Sequence, residues 1–221
     1  AYKTHGGSLK ADYDFGGAIL TSITAWEHSS GLSRGDTDGG AAANFGGVLP
    51  NICAVGCGES QGRIRHLDQW TQEIRLASPG TGRFRWQLGA FYFDQRDLTE
   101  FDQRTFFLTS NALGSTPNPN NWVLLHNVNT SYAAFGQPSY ALTDALTITA
   151  GARITRDKKH TVLLKTANNV ANVSTFTGAK DVTLADTKPS WDASLLYRAT
   201  PEISLYARVS RSFRGPTIQG R

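Results

Sequence analysis

The chain has 221 residues, 22 of them Gly, 10% aromatic side chains, no Met and a formal net charge of +4. Its mean hydropathy is negative and no apolar run approaches the roughly 18 residues that a membrane helix needs, which excludes a helical membrane protein. Lys and Arg are dispersed rather than clustered, so the charge leaves no nucleic-acid footprint. The opening residues do not read as a signal peptide, and a chain starting at Ala1 without any Met is expected to be an internal segment of a longer protein. Two architectures remain: a soluble all-β protein, or a transmembrane barrel whose alternating strands never look hydrophobic on average.

Period-two alternation marks the strands in chain order. Leu9, Ala11, Tyr13 and Phe15 oppose Ser8, Lys10, Asp12 and Asp14, and a vaguer strand follows over 18–28. Trp70, Ile74 and Leu76 oppose Thr71, Glu73, Arg75 and Ala77, with Gln72 out of place on the apolar side. Phe84, Trp86, Leu88, Ala90 and Tyr92 oppose Arg85, Gln87, Gly89 and Phe91. The stretch 130–140 is β-like, but Pro138 cannot donate to a ladder and the facing stays ambiguous. Leu146, Ile148, Ala150, Ala152 and Ile154 then oppose Thr147, Thr149, Gly151, Arg153 and Thr155. Trp191, Ala193, Leu195 and Tyr197 oppose Asp192, Ser194 and Leu196, and Ile203, Leu205, Ala207 and Val209 oppose Ser204, Tyr206, Arg208 and Ser210.

About eight strands result, and their connections alternate strictly in length. Four are short turns around Gly16, Gly80, Asp144 and Pro201, where Gly, Asp and Pro supply turn geometry. Three are long and polar, over 29–67, 97–128 and 159–188. A soluble sandwich has no reason for this pattern, whereas an outer-membrane barrel has short periplasmic turns and long extracellular loops. On strands descending towards the short turns, Trp70, Tyr132 and Trp191 come early and Tyr140, Tyr197 and Phe15 come late, as girdles at two interfaces would. The expected fold class is therefore all-β, an antiparallel up-and-down transmembrane β-barrel. The competing readings are a passive or substrate-specific porin and a soluble extracellular β-sandwich such as a lectin or adhesin.

Several fragments narrow the choice among barrels. They are Gln72-Glu73-Ile74-Arg75-Leu76-Ala77-Ser78 leading into 84–93, Ser131-Tyr132-Ala133-Ala134-Phe135-Gly136-Gln137, Leu142-Thr143-Asp144 leading into 146–153, and 205–214 with Leu205-Tyr206-Ala207-Arg208-Val209-Ser210-Arg211. In order and spacing they resemble the barrel of TonB-dependent outer-membrane receptors, closest to the ferric-siderophore branch. The resemblance covers nearly all strand residues from 68 to 214 and none of the loops. It implies a barrel of about 22 strands, of which residues 1–221 form part, with the N-terminal plug domain and the C-terminal strands absent. It further implies location in the bacterial outer membrane, contact with membrane lipid and lipopolysaccharide, TonB acting through the plug, and a ferric siderophore or other scarce small nutrient as cargo. No nucleic-acid partner and no cofactor are expected.

Candidate chemistry is sparse. Cys53 and Cys57 lie in the first long connection, outside the cell in the orientation above, where thiols oxidise, so a disulfide closing a tight loop is expected. A metal site would need more ligands than this pair and His66, so none is expected. His28, His66, His126 and His160 fall at or just beyond the outer strand ends, where exposed loop histidines are common and iron or haem ligation is the rarer use. Arg75, Arg85, Arg153 and Arg208, with Glu73 and Asp192, share the polar face and would contact a plug, an anionic ligand or water. No nucleophile elbow, phosphate loop or zinc-binding His pair is present, so no catalytic residue is expected, and the sequence singles out no ligand-contacting residue.

Overall fold

The computed structural model describes residues 1–36, 58–105, 121–168 and 174–218. They form one antiparallel sheet of eight strands in sequence order: β1 (Tyr2–Asp14), β2 (Ile19–Asp36), β3 (Gly58–Ala77), β4 (Phe84–Thr105), β5 (Asn121–Ala141), β6 (Leu146–Asn168), β7 (Ser174–Arg198) and β8 (Ser204–Arg211). Every strand pairs with its sequence neighbours, and the sheet is open, with β1 and β8 at its edges. A closed eight-stranded barrel would have joined those two.

The four short turns lie where the sequence puts them. Gly16 and Gly80 adopt positive φ values of 84° and 83°, a region that side chains with a Cβ avoid. The Asp14 carboxylate accepts the Gly16 N–H at 2.7 Å. The last two turns share one device. Thr143 Oγ1 accepts the N–H groups of Ala145 and Leu146 at 3.2 and 3.0 Å, and Thr200 Oγ1 accepts those of Glu202 and Ile203 at 3.3 and 3.1 Å.

Register sorts the side chains into two faces, because residues directly opposite in a ladder point the same way. Phe84, Tyr140, Ile148, Leu195 and Ala207 form one rung, and Ile74, Ala90, Ala134 and Ile154 form another. The apolar sets of adjacent strands thus fall on a single face. The ambiguous 130–140 stretch takes its facing from the same register, with Tyr132 opposite Tyr92 and Tyr140 opposite Phe84. Pro138 pairs in register with Trp86 of β4, while the ladder to β6 skips from Gly136 to Ser139, as a residue without an N–H requires. The rungs climb across the sheet: one that starts low on β1 at Leu9 passes through Thr24, Gln72, Tyr92, Tyr132 and Arg156 and ends high on β7 at Thr187. Such stagger accompanies the strand tilt of a curved wall.

On the apolar face Trp26, Trp70, Tyr92, Tyr132 and Trp191 each stand about eight residues from the turn end of their strand, which is ~20 Å along a tilted wall. They form an upper aromatic girdle. Phe15, Phe84, Tyr140 and Tyr197, all exposed, form the lower one beside the turns.

The three long connections differ from expectation. Strands β2 to β7 continue roughly ten to seventeen residues past the girdle, about 25–45 Å of further wall, so strand takes in both ends of 29–67 and 97–128 and nearly all of 159–188. Only 37–57, 106–120 and 169–173 lie between the strands, outside the described residues. Two physical causes hid the extensions. Above the girdle neither face meets lipid, so runs such as Val123-Leu124-Leu125 and Val162-Leu163-Leu164 put apolar groups on both faces and alternation fades. The ladders on both sides of β3 also shift register around Arg65, where β3 carries one extra residue, which reverses the phase of a period-two reading along that strand.

At the other edge β8 pairs with β7 only from Trp191 to Arg198, and Pro189 stands just beyond that pairing. Residues 212–218 follow without regular structure. Gly215 packs against Asp157 of β6, where an added Cβ would sit 2.0 Å from the carboxylate oxygen. The chain therefore leaves the sheet and crosses β7 on the polar face.

The facing makes a direct prediction for the full-length protein in lipid. Arg in place of Ala150, between the two girdles on the apolar face, should cost about 2–4 kcal/mol in a urea titration of the folded barrel. Gln87→Arg, on the other face, should shift it by under ~1 kcal/mol.

Candidate functional site

The polar face has two parts. The lower part, level with the apolar band, carries the residues that the sequence singled out. Arg153 lies with its guanidinium 5.4 Å from the Phe91 ring centroid and 5.8 Å from that of Phe135, and its Nε donates to Thr155 Oγ1 at 3.0 Å. Two glycines make this packing possible. A Cβ on Gly89 would lie 2.3 Å from the Phe135 ring, and one on Gly151 would lie 2.5 Å from Asp192 Oδ1. Asp192 Oδ2 is 3.3 Å from Arg208 Nε. Phe135, Gly151, Arg153, Asp192, Arg208 and Ser210 thereby line a groove of about 490 Å³ on this face.

Of the other predicted residues, Glu73 and Arg75 form an ion pair with each other along β3, and Arg85 stands exposed near the turn. The structure thus brings Arg153, Arg208 and Asp192 together at one groove and leaves Glu73, Arg75 and Arg85 outside it.

The upper part holds a polar ladder. Asp97 and Thr161 are buried, and Asn127 joins them: Thr161 Oγ1 donates to Asn127 Oδ1 at 2.7 Å, and Asn127 Nδ2 donates to Asp97 Oδ2 at 2.9 Å. Thr99 Oγ1 and Gln95 Nε2 complete the Asp97 carboxylate at 3.2 and 3.3 Å. A buried carboxylate is tolerated when its lone pairs have donors, and here it ties β4, β5 and β6 together.

On the girdle face, beyond the girdle, Glu100 of β4 is held by both neighbouring strands. Arg65, the extra residue at the β3 register shift, directs both Nε and Nη2 to Glu100 Oε2 at 2.8 Å, and Trp122 Nε1 donates to Oε1 at 2.8 Å. Partial burial, the largest single influence, pushes the carboxyl up, but the Trp122 and Arg65 hydrogen bonds with the charges of Arg65 and Arg63 outweigh it and hold it below the ordinary glutamate value. Sequence reading missed both this cluster and the ladder, because they lie in stretches that carry no alternation.

The four histidines lie within strands rather than at their ends. His28 Nδ1 is 2.7 Å from Asp68 Oδ1, and His160 Nε2 is 2.7 Å from Asp181 Oδ1. Among the described residues no three His, Cys, Asp or Glu side chains converge as metal ligands. Cys53 and Cys57 lie outside the described residues.

Comparison with known proteins places this wall. The family model described as TonB dependent receptor-like, beta-barrel matches residues 1–221. No curated protein matches the chain. Among solved structures it is similar to the ferric yersiniabactin uptake receptor FyuA of Yersinia pestis, at a TM-score of 0.71 and 16% identity over 94% of this chain and 27% of that one. It is also similar to the ferric-catecholate import receptor Fiu of E. coli K12 in its open form, at a TM-score of 0.64 and 12% identity over 97% of this chain and 36% of that one. The chain thus spans about a third or less of those receptors.

Gly89→Leu should displace Phe135, strip Arg153 of its aromatic support and lower the thermal midpoint of the full-length barrel by several degrees, while Gly62→Ala, on the interior strand β3 with its Cβ at an ordinary 3.9 Å from Phe101, should leave it nearly unchanged. Glu100 is lowered in the folded state, so the stability it contributes is complete above the unfolded glutamate value and is lost as pH falls through the folded one. Glu100→Gln should therefore flatten the acid limb of a stability-against-pH curve in that window.

Proposed function

The chain belongs to the family of TonB-dependent receptor-like β-barrels, and on that premise we propose that it forms part of the wall of an active uptake receptor for ferric siderophore. The protein resides in the bacterial outer membrane, where its family resides. The observation that carries the reading is the whole-chain family match on a wall whose polar face is grooved and partly charged, since the family's barrels serve TonB-dependent transport.

In this proposal residues 1–221 are one part of a barrel of about 22 strands, with the plug domain and the C-terminal strands belonging to other parts of the protein. Arg153, Arg208 and Asp192 face inward and hold the plug through hydrogen bonds and ion pairs. TonB acts through the plug, so its removal or displacement opens a path past the groove. The wall above the membrane, tied by Asp97, Asn127 and Thr161, forms a vestibule through which cargo reaches the plug. The chain carries out no covalent chemistry. Ferric siderophore is favoured because FyuA and Fiu, the structures it resembles, are named as receptors for ferric yersiniabactin and ferric catecholate.

The test is uptake of a 55Fe-labelled ferric catecholate by cells carrying the full-length receptor. Accumulation should exceed that of receptor-free cells by at least ~10-fold and collapse when TonB is deleted, since transport against a gradient requires energy. Entry that persists without TonB would make the protein a porin. TonB-dependent uptake of another nutrient, with none of the ferric siderophores tested, would retain the transporter and overturn the cargo.

A further inference from the structure

The outer side of the wall carries a pair of histidines across one ladder. His5 of β1 and His28 of β2 stand directly opposite each other, so both side chains point the same way. His28 lies two residues above Trp26 on the girdle face, which places the pair just beyond the girdle and on the far side of the wall from the groove. His5 is exposed and the His28 side chain is 25% exposed, so dissolved ions reach both.

Their spacing suits a shared ion. The ring centroids lie 5.0 Å apart with the planes inclined at 42°. An imidazole centroid stands about 3.2 Å from a metal bound to one of its nitrogens, so two rings at this spacing subtend about 100° at a common ion. That angle falls between the adjacent positions of a tetragonal site and those of a tetrahedral one. His28 Nδ1 is 2.7 Å from Asp68 Oδ1. A carboxylate only accepts, so Nδ1 carries the proton and Nε2 keeps its lone pair for a ligand. Trp26 packs edge-on to His5 at 5.4 Å and stacks beside His28 at 6.4 Å, which limits the turning of both rings. Among the described residues no hydrogen bond or ion pair occupies His5. Of the cations on this face, Arg96, opposite Asp68, is turned to Asp94 at 3.0 Å, and Lys3 lies beyond His5 on β1.

We infer that His5 and His28 form a two-nitrogen site for a divalent transition-metal ion, Cu2+ above the others, with water completing the coordination and Asp68 as the positioning residue of His28. Imidazole suits Cu2+, Zn2+ and Ni2+ better than it suits hard cations, and Cu2+ stands highest in affinity among the divalent first-row ions. A carboxylate on the far nitrogen of a metal-binding histidine fixes its tautomer and raises its basicity, which is the place that Asp68 takes. The ion ties β1 to β2 across one rung outside the membrane. The site is independent of the cargo, because it faces away from the groove.

The test is Cu2+ binding by the full-length receptor, purified in mild detergent at neutral pH. It is read by equilibrium titration and by pulsed electron paramagnetic resonance, which counts the imidazoles on the bound ion. The wild type should bind one Cu2+ that H5Q/H28Q lacks, with two imidazoles on it. D68A should weaken this site ~10-fold or more with both imidazoles retained, and D68N, which keeps an acceptor for Nδ1, should recover most of the loss. H5Q or H28Q alone should weaken it at least as much as D68A and leave one imidazole. H126Q, which removes an exposed histidine elsewhere on the outer face, should change nothing.

The site is overturned if the wild type and H5Q/H28Q bind Cu2+ alike, or if the ion that distinguishes them carries a single imidazole. Unchanged affinity in D68A, or a loss in H126Q as large as in H28Q, would equally sink it, the latter by showing Cu2+ on surface histidines at large. Siderophore uptake does not enter this measurement, so the cargo assignment and this site fail separately.

Discussion

Within hydrocarbon no water is available to backbone N–H and C=O groups, so a membrane-crossing strand must satisfy them in its ladders. The rest of this structure depends on that constraint. It demands continuous pairing from β1 to β8, and the register that results places Phe84, Tyr140, Ile148, Leu195 and Ala207 on one face without exception. It also shows where an unpaired group is tolerated. Pro138 sits in the one short interruption of the β5–β6 ladder, and Pro189 sits beyond the end of the β7–β8 pairing.

The girdle of Trp26, Trp70, Tyr92, Tyr132 and Trp191 divides the wall into two regimes. Below it one face meets lipid and the other does not, so most side chains sort by polarity, and the polar groups left on the lipid face, such as Gln72, bond to one another within the wall. Above it both faces meet water, and stability comes from specific polar contacts: the Asp97, Asn127 and Thr161 ladder on one face, and Glu100 with Arg65 and Trp122 on the other. Strand length therefore reaches well beyond what a bilayer requires.

The same division explains what could be read from the residues alone. The turns at Gly16, Gly80, Thr143 and Thr200 were legible because turn chemistry is local, and the facing of 146–154 was legible because lipid enforces alternation. The upper wall was not, since Val162-Leu163-Leu164 and the register shift around Arg65 erase a period of two. Of the charged residues on the polar face, their shared facing was legible but their partners were not. That Arg153 rests on Phe91 and Phe135 while Arg208 reaches Asp192 depends on cross-strand register, which a single sequence does not display. Gln72 looked like a flaw on the apolar face. It shares hydrogen bonds with Thr24 and, at 3.0 Å, with Ser22, so its polar group is satisfied within the wall.

The most direct measurement is a nitroxide scan along β6, residues 146–164, in the full-length receptor reconstituted in lipid, comparing access to oxygen and to a water-soluble nickel chelate. Positions 148, 150, 152 and 154 should favour oxygen and the odd positions between them should not, with the contrast vanishing from 156 onward. Oxygen preference that continues through 164, or that falls on the odd positions, would contradict a wall that leaves the membrane at this girdle.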